Sequence, residues 1–105
     1  MKLQFKKMEG VNIGIGVYLK EDYQEILNLS EDRDNLDETW EAWKANKKRA
    51  VSQLKKQGLT LIDILVKPRD LVMFCRERGL PINGKSRAEY VQHMTQNLRF
   101  AEIAS

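Results

Sequence analysis

The residue types that most often hold metals or act as nucleophiles are scarce in this sequence, which has one cysteine, Cys75, and one histidine, His93. A single cysteine cannot form an internal disulfide, which is typical of a reducing compartment. A zinc site needs about four Cys or His ligands, and the spacing of Cys75 and His93 does not indicate a nucleophilic pair. We therefore expect no metal, no cofactor and no enzymatic activity.

Long apolar runs are also missing. No stretch approaches the ~18 apolar residues of a membrane span, and the lysine-rich start is not followed by a signal-type apolar segment. The sequence therefore predicts a cytoplasmic protein with no membrane partner. Its 105 residues are enough for one hydrophobic core but not for a second, so we expect a single domain over 1–105.

Charge is unevenly distributed along the chain. Residues 1–20 carry four lysines against one glutamate, residues 21–43 carry nine acids against one arginine, and residues 44–105 carry thirteen bases against five acids. The basic C-terminal half is suited to phosphate backbones, and the acidic segment is suited to screen that half or to dock onto it.

Three segments are predicted to form strands. Lys2–Lys7 and Val11–Leu19 alternate apolar with polar residues and are separated by a Glu9-Gly10 turn, which favours an N-terminal hairpin. Leu59–Val66 is apolar on both faces except at Asp63, which indicates a buried central strand. Because a long helical connection precedes it, this strand is expected to lie parallel to Val11–Leu19.

Two glycines, Gly14 and Gly16, lie inside the second predicted strand. A nucleotide-binding loop would need a third glycine, and Leu19 stands at that position. Close packing of a helix against bare backbone explains the pair better.

The middle of the chain predicts two helices joined by an acidic loop. Glu21–Leu29 is a short helix with Tyr23, Ile26 and Leu27 inward, and Ser30–Asn35 is a loop of solvated acids that lacks the glycine and glutamate of a calcium site. A long helix is predicted over Leu36–Gln57, with Asn35 and Glu38 as a capping box and Gly58 as its stop.

The later part of the long helix is rich in bases, which form either a solvated face or part of a phosphate-binding patch. Those bases are Lys44, Lys47, Lys48, Arg49, Lys55 and Lys56. Its two tryptophans, Trp40 and Trp43, are interpreted as core packing, with an exposed partner surface as the alternative.

The C-terminal third predicts a helical hairpin. Pro68 suits a first helical turn and Gly79 a left-handed helix end, so one helix is expected over Pro68–Arg78. Ser86 and Glu89 have the spacing of a capping box, so a second helix is expected to begin near Arg87.

Residues 66–94 resemble the SAP motif, a helix, extended loop and helix that usually binds DNA. The matching positions are Leu71 and Cys75 in the first helix, Gly79-Leu80-Pro81 at the turn, Gly84, the segment Lys85-Ser86-Arg87, and the apolar set Tyr90, Val91 and Met94. The sequence departs from the motif at Tyr90 and Met94, where leucine is usual, and at Ser86 and His93, where a base is frequent.

These patterns together predict an α+β fold. A mixed three-stranded sheet, made from the N-terminal hairpin and one central strand, packs with the long helix over residues 1–65, and the SAP-like helix pair follows over 66–105. The resemblance implies a non-enzymatic domain that binds DNA or RNA, with Lys85, Ser86 and Arg87 on the phosphate and Arg76 and Arg78 flanking them. The alternative is a protein-interaction or regulatory module, with a protein partner or a second copy on the Trp40 and Trp43 region.

Overall fold

The computed structural model describes residues 12–104 and the side chains of residues 13–98. Its strands and helices are β1 (Asn12–Val17), α1 (Lys20–Leu29), a 3-10 turn (Arg33–Asn35), α2 (Trp40–Lys56), β2 (Thr60–Leu65), α3 (Pro68–Arg78) and α4 (Gly84–Ala104). The order is that of an α+β fold, as the sequence predicts.

Strands β1 and β2 pair in parallel, with Gly14 opposite Ile62 and Gly16 opposite Ile64. The parallel pairing is confirmed. The predicted three-stranded sheet is not matched, because residues 12–104 hold a two-stranded sheet and the expected strand over Lys2–Lys7 lies outside them.

Helix α4 packs directly against the backbone of β1. A Cβ atom at Gly14 would overlap Thr95 Oγ1, and one at Gly16 would lie 3.1 Å from Val91 Cγ2. Val91 and Thr95 are one helical turn apart and therefore present the same face to the strand. The two glycines allow this close helix–strand contact, which confirms the interpretation from the sequence.

Helix α2 lies on the opposite face of the sheet. Residues paired across parallel strands share a face, so Asp63, opposite Ile15, points away from the side of Gly14 and Gly16. Lys47 of α2 reaches Asp63 at 3.2 Å. Helices α2 and α4 therefore approach β1 and β2 from opposite sides.

The core is formed mainly by α1, α3 and α4, while β2 and α2 stay more exposed. Its buried side chains include Tyr23, Ile26 and Leu27 of α1 and Leu71, Phe74 and Cys75 of α3. Strand β2 was expected to be buried on both faces, but only Ile64 is buried in it and Leu65 is 44% exposed. No residue of α2 is buried.

Two helix starts differ from the sequence prediction. Helix α2 begins at Trp40, capped by the Thr39 hydroxyl, which accepts from the N–H of Ala42, and not by Asn35. Helix α4 begins at Gly84, three residues before the expected start. By contrast, α3 spans the predicted Pro68–Arg78, and Gly79 ends it with φ +63°.

Candidate nucleic-acid interface

The start of α4, where the sequence predicts phosphate binding, is closed by a local capping arrangement. Asn83 Oδ1 accepts from the N–H of Ser86 at 3.1 Å, and the N–H of Asn83 donates to Ser86 Oγ at 2.9 Å. Ser86 therefore exchanges two hydrogen bonds with Asn83 in this cap, and only 1% of its surface is exposed.

Arg87 is also turned inward. Its Nη1 donates to Asp32 Oδ1 at 2.9 Å and to Ser30 Oγ at 2.9 Å, and its Nη2 donates to Asp32 Oδ2 at 3.0 Å. This two-pronged contact holds the pKa of the Asp32 carboxyl below its usual value. The Arg87 side chain is 9% exposed, so its donors are used within the chain.

The Asp32 carboxylate lies at the start of α4, where the sequence predicts that a phosphate binds. Besides Arg87, it accepts from the N–H of Gly84, the first residue of α4, at 2.9 Å. A carboxylate at the positive end of a helix is stabilised as a bound phosphate is. The sequence analysis places Asp32 in a loop of solvated acids, which is wrong for this residue because its side chain is 18% exposed and pairs with Arg87. The signal for this contact was the acidic segment, which was expected to screen the basic half or dock onto it.

The other three predicted residues, Lys85, Arg76 and Arg78, are exposed. Arg76 and Arg78 end α3, and Lys85 begins α4, so all three lie at the loop end of the helix pair. The Arg78 guanidinium stacks on the Phe74 ring at 3.8 Å. These three bases of the SAP-like segment face solvent and lie at the same end of the helix pair.

The tryptophans pack into an aromatic cluster with Tyr18 and Tyr23. Trp40 Nε1 donates to the carbonyl oxygen of Tyr18 at 2.8 Å, and the Trp43 ring lies 5.1 Å from that of Tyr18. Burial raises the pKa of Tyr23 to about 12, and its hydroxyl donates to the carbonyl oxygen of Asp37. Both tryptophans are half-buried and attach α2 to the core.

Among the described helices, α2 carries the most exposed bases. This 17-residue helix carries six Lys or Arg against one acid, Glu41, which pairs with Lys20 at 2.9 Å. Lys47 is half-buried and pairs with Asp63. The remaining five bases are exposed and lie outside every ion pair formed within residues 12–104: Lys44, Lys48, Arg49, Lys55 and Lys56.

A cleft of about 610 Å³ opens between β1, α4 and Trp43. Its lining is mostly apolar and includes Ile13, Ile15 and Val91. The titratable groups in its lining are Tyr18, whose pKa is raised by burial, and Arg87, which is paired with Asp32. Among the described side chains, 13–98, the lining therefore holds no unpaired carboxylate, imidazole or amine for proton transfer.

Within residues 12–104, no group of three His, Cys, Asp or Glu is arranged to hold a metal ion, and no helix is long and apolar enough to cross a membrane. Cys75 is buried, and the ring of His93 packs 5.5 Å from that of Phe74.

No protein-family model, no curated protein and no solved structure matches this chain. The resemblance of residues 66–94 to the SAP motif therefore stays a prediction. Any functional conclusion depends on the geometry described above.

Proposed function

We propose that this protein is a non-enzymatic domain that binds the phosphate backbone of nucleic acid through the basic side of α2. The observation that carries the proposal is the set of five exposed, unpaired bases on one 17-residue helix. The single cysteine of the sequence, Cys75, supports a reducing, cytoplasmic location as part of this proposal.

Clustered bases gain affinity for nucleic acid by releasing the counterions held along its backbone, so a surface that neutralises several phosphates binds with a strong salt dependence. The bases of α2 are well placed for this, because no described acid neutralises them and the helix lies on the outside of the fold. Lys55 and Lys56 also lie in the last turn, where the helix dipole favours cations.

The exposed bases of the SAP-like pair form a second candidate surface. Arg76 and Lys85 are exposed there, and Arg78 is exposed but pairs with Glu77 at 3.8 Å and donates to the carbonyl oxygen of Phe74. Ser86 and Arg87 are hydrogen-bonded within the chain. Because α2 and α4 pack on opposite faces of the sheet, the two surfaces can be tested separately.

The test compares two triple variants with the same loss of charge. Lys48→Gln, Lys55→Gln and Lys56→Gln alter α2, and Arg76→Gln, Arg78→Gln and Lys85→Gln alter the helix pair. Fluorescence anisotropy with labelled DNA and RNA at several salt concentrations is the readout. We expect the α2 variant to lose roughly tenfold in affinity and to reduce the salt slope by about 2 to 3, with a smaller loss in the other variant.

The result of this comparison shows which of the two basic surfaces binds nucleic acid. A loss confined to the helix-pair variant would move the surface to the SAP-like segment, and equal losses would indicate attraction to the net charge alone. Absence of wild-type binding at low salt would refute the proposed function.

A protein-interaction module is the second candidate, and it is favoured by three exposed apolar side chains. Leu65, Met73 and Leu98 are 44%, 49% and 45% exposed, and exposed apolar side chains of this size can pack into a protein interface. Sedimentation equilibrium over a wide concentration range tests the homo-oligomer form of this candidate. A constant mass of 12.3 kDa would contradict it.

A further inference from the structure

The exposed side of α2 carries two rows of bases with small residues between them. The first row is Lys44, Lys48 and Lys55, the second is Arg49 and Lys56, and the strip between them contains Ala45 and Ser52. On the basis of the proposed function, we infer that α2 enters the major groove of double-stranded DNA, with one row on the phosphates of each strand.

The arrangement follows from helical geometry. Successive residues of an α-helix are turned by about 100°, so the first row falls within about 40° around the axis and the second within about 20°. The centres of the two rows are about 110° apart, and Ala45 and Ser52 point between them. At 1.5 Å per residue, the first row extends over roughly 16 Å of the helix.

Helix α2 is exposed enough to enter a groove. None of its residues is buried, and all seven residues of the rows and the strip are exposed. The helix packs on the fold through its other side, where Trp43, Lys47 and Leu54 are half-buried. Glu41, the one acid of α2, points between the rows one turn before Ala45. Its carboxylate is paired with Lys20 at 2.9 Å.

The shape of this surface selects among nucleic acids. The major groove of B-DNA is about 12 Å wide and admits a helix of about 10–12 Å diameter. Small side chains at the centre let the helix approach closely, and the long bases at its flanks then reach both backbones. The deep, narrow major groove of A-form RNA excludes a helix, and a single strand offers a backbone to one row only.

The strip also limits base recognition. The Ala45 methyl group is suited to an apolar contact with a thymine methyl, and the Ser52 hydroxyl can bond to several base edges. Neither side chain makes the two-pronged contact by which Arg, Asn or Gln distinguishes a base. We therefore expect duplex binding with little sequence preference.

The test places the same bulky residue inside and outside the strip. Ala45→Tyr fills the space between the rows, while Ala50→Tyr makes the identical change at another exposed alanine of α2, about 140° away around the axis. Anisotropy is measured with a 20-base-pair DNA duplex, the corresponding RNA duplex and one DNA strand. Circular dichroism checks that both variants keep the wild-type fold.

We expect the wild type to prefer the DNA duplex over the RNA duplex by roughly tenfold, because only B-DNA admits the helix. Ala45→Tyr should lower affinity for duplex DNA by roughly tenfold through lost phosphate contacts and leave single-strand binding unchanged. Ala50→Tyr should change neither. Salt-sensitive binding with no duplex preference, or an equal response to both substitutions, would overturn groove entry and leave the proposed function standing. Absence of binding to every probe would refute both.

Discussion

Gly14 shows how one residue fixes the distance between β1 and α4. A methyl group there would meet Thr95 Oγ1, whose hydroxyl donates to the carbonyl oxygen of Val91 at 2.7 Å and so resists rotation. We expect Gly14→Ala to lower the free energy of unfolding by about 1–3 kcal/mol through overpacking. Gly16→Ala should cost less, because the nearest atom would be a valine methyl at 3.1 Å. Urea denaturation measures both variants, and the reverse order would contradict this packing.

The ion pair between Asp32 and Arg87 makes the stability of the fold at low pH depend on the charge of Asp32. The folded chain lowers the pKa of Asp32, so the pair stabilises the fold above the ordinary carboxyl pKa of about 3.9. That stabilisation is lost as the pH falls through the lower folded-state value. Asp32→Asn leaves a buried guanidinium without its counter-charge and should cost about 3 kcal/mol at pH 7.

Chemical denaturation across pH 2–8 tests this pair. The difference in free energy of unfolding between wild type and Asp32→Asn should be constant near neutrality. It should narrow below about pH 4, where the carboxyl of the unfolded chain becomes protonated, and close as the pH falls through the lower folded-state pKa. The exposed neighbour Asp34 provides the control, since Asp34→Asn should change little at any pH. A difference in free energy of unfolding that is independent of pH would show that the charge of Asp32 does not stabilise the fold.

At the scale of the element, the start of α2 is set by Thr39. Its hydroxyl accepts from the N–H of Ala42 at 3.1 Å, so Thr39→Ala should destabilise the protein by about 1 kcal/mol. Asn35→Ala, which removes the cap predicted from the sequence, should have a smaller effect because Asn35 is exposed and lies in the preceding 3-10 turn. Thermal denaturation of both variants decides between the two caps.

The ends of the helices show which elements are predictable from sequence. Pro68 and Gly79 act through their own backbone geometry, so α3 was predicted at its observed bounds. The start of α2 was predicted wrongly because Asn35 with Glu38 has the same local spacing as a true cap. The observed start depends in part on Trp40, whose indole donates to Tyr18, a contact 22 positions away that local spacing does not encode.

The candidate site was less predictable than the helices for the same reason. Lys85, Arg76 and Arg78 are exposed, as a binding role requires, but Arg87 pairs with Asp32 across 55 positions. A motif comparison of residues 66–94 does not include Asp32. The bases of α2 were recognised in the sequence, yet their exposure follows from the light packing of that helix.

At the scale of the whole molecule, the buried side chains lie mostly in α1, α3 and α4, and α2 has none. Segments with few buried contacts open locally at a lower free energy than the core. Native-state hydrogen exchange should therefore be faster in the second half of α2, beyond the tryptophans, than in α1 or α3. Uniform protection across all four helices would contradict this division.

Binding of nucleic acid should then slow amide hydrogen exchange at the residues that it contacts. If the bases of α2 hold phosphates, a saturating DNA duplex stabilises the closed form of this helix by mass action and should slow exchange in its later turns. The amides at the end of α3 and the start of α4, next to Arg76, Arg78 and Lys85, should respond little. Protection at the α3–α4 loop with none in α2 would assign binding to the SAP-like segment, since α2 and α4 pack on opposite faces of the sheet.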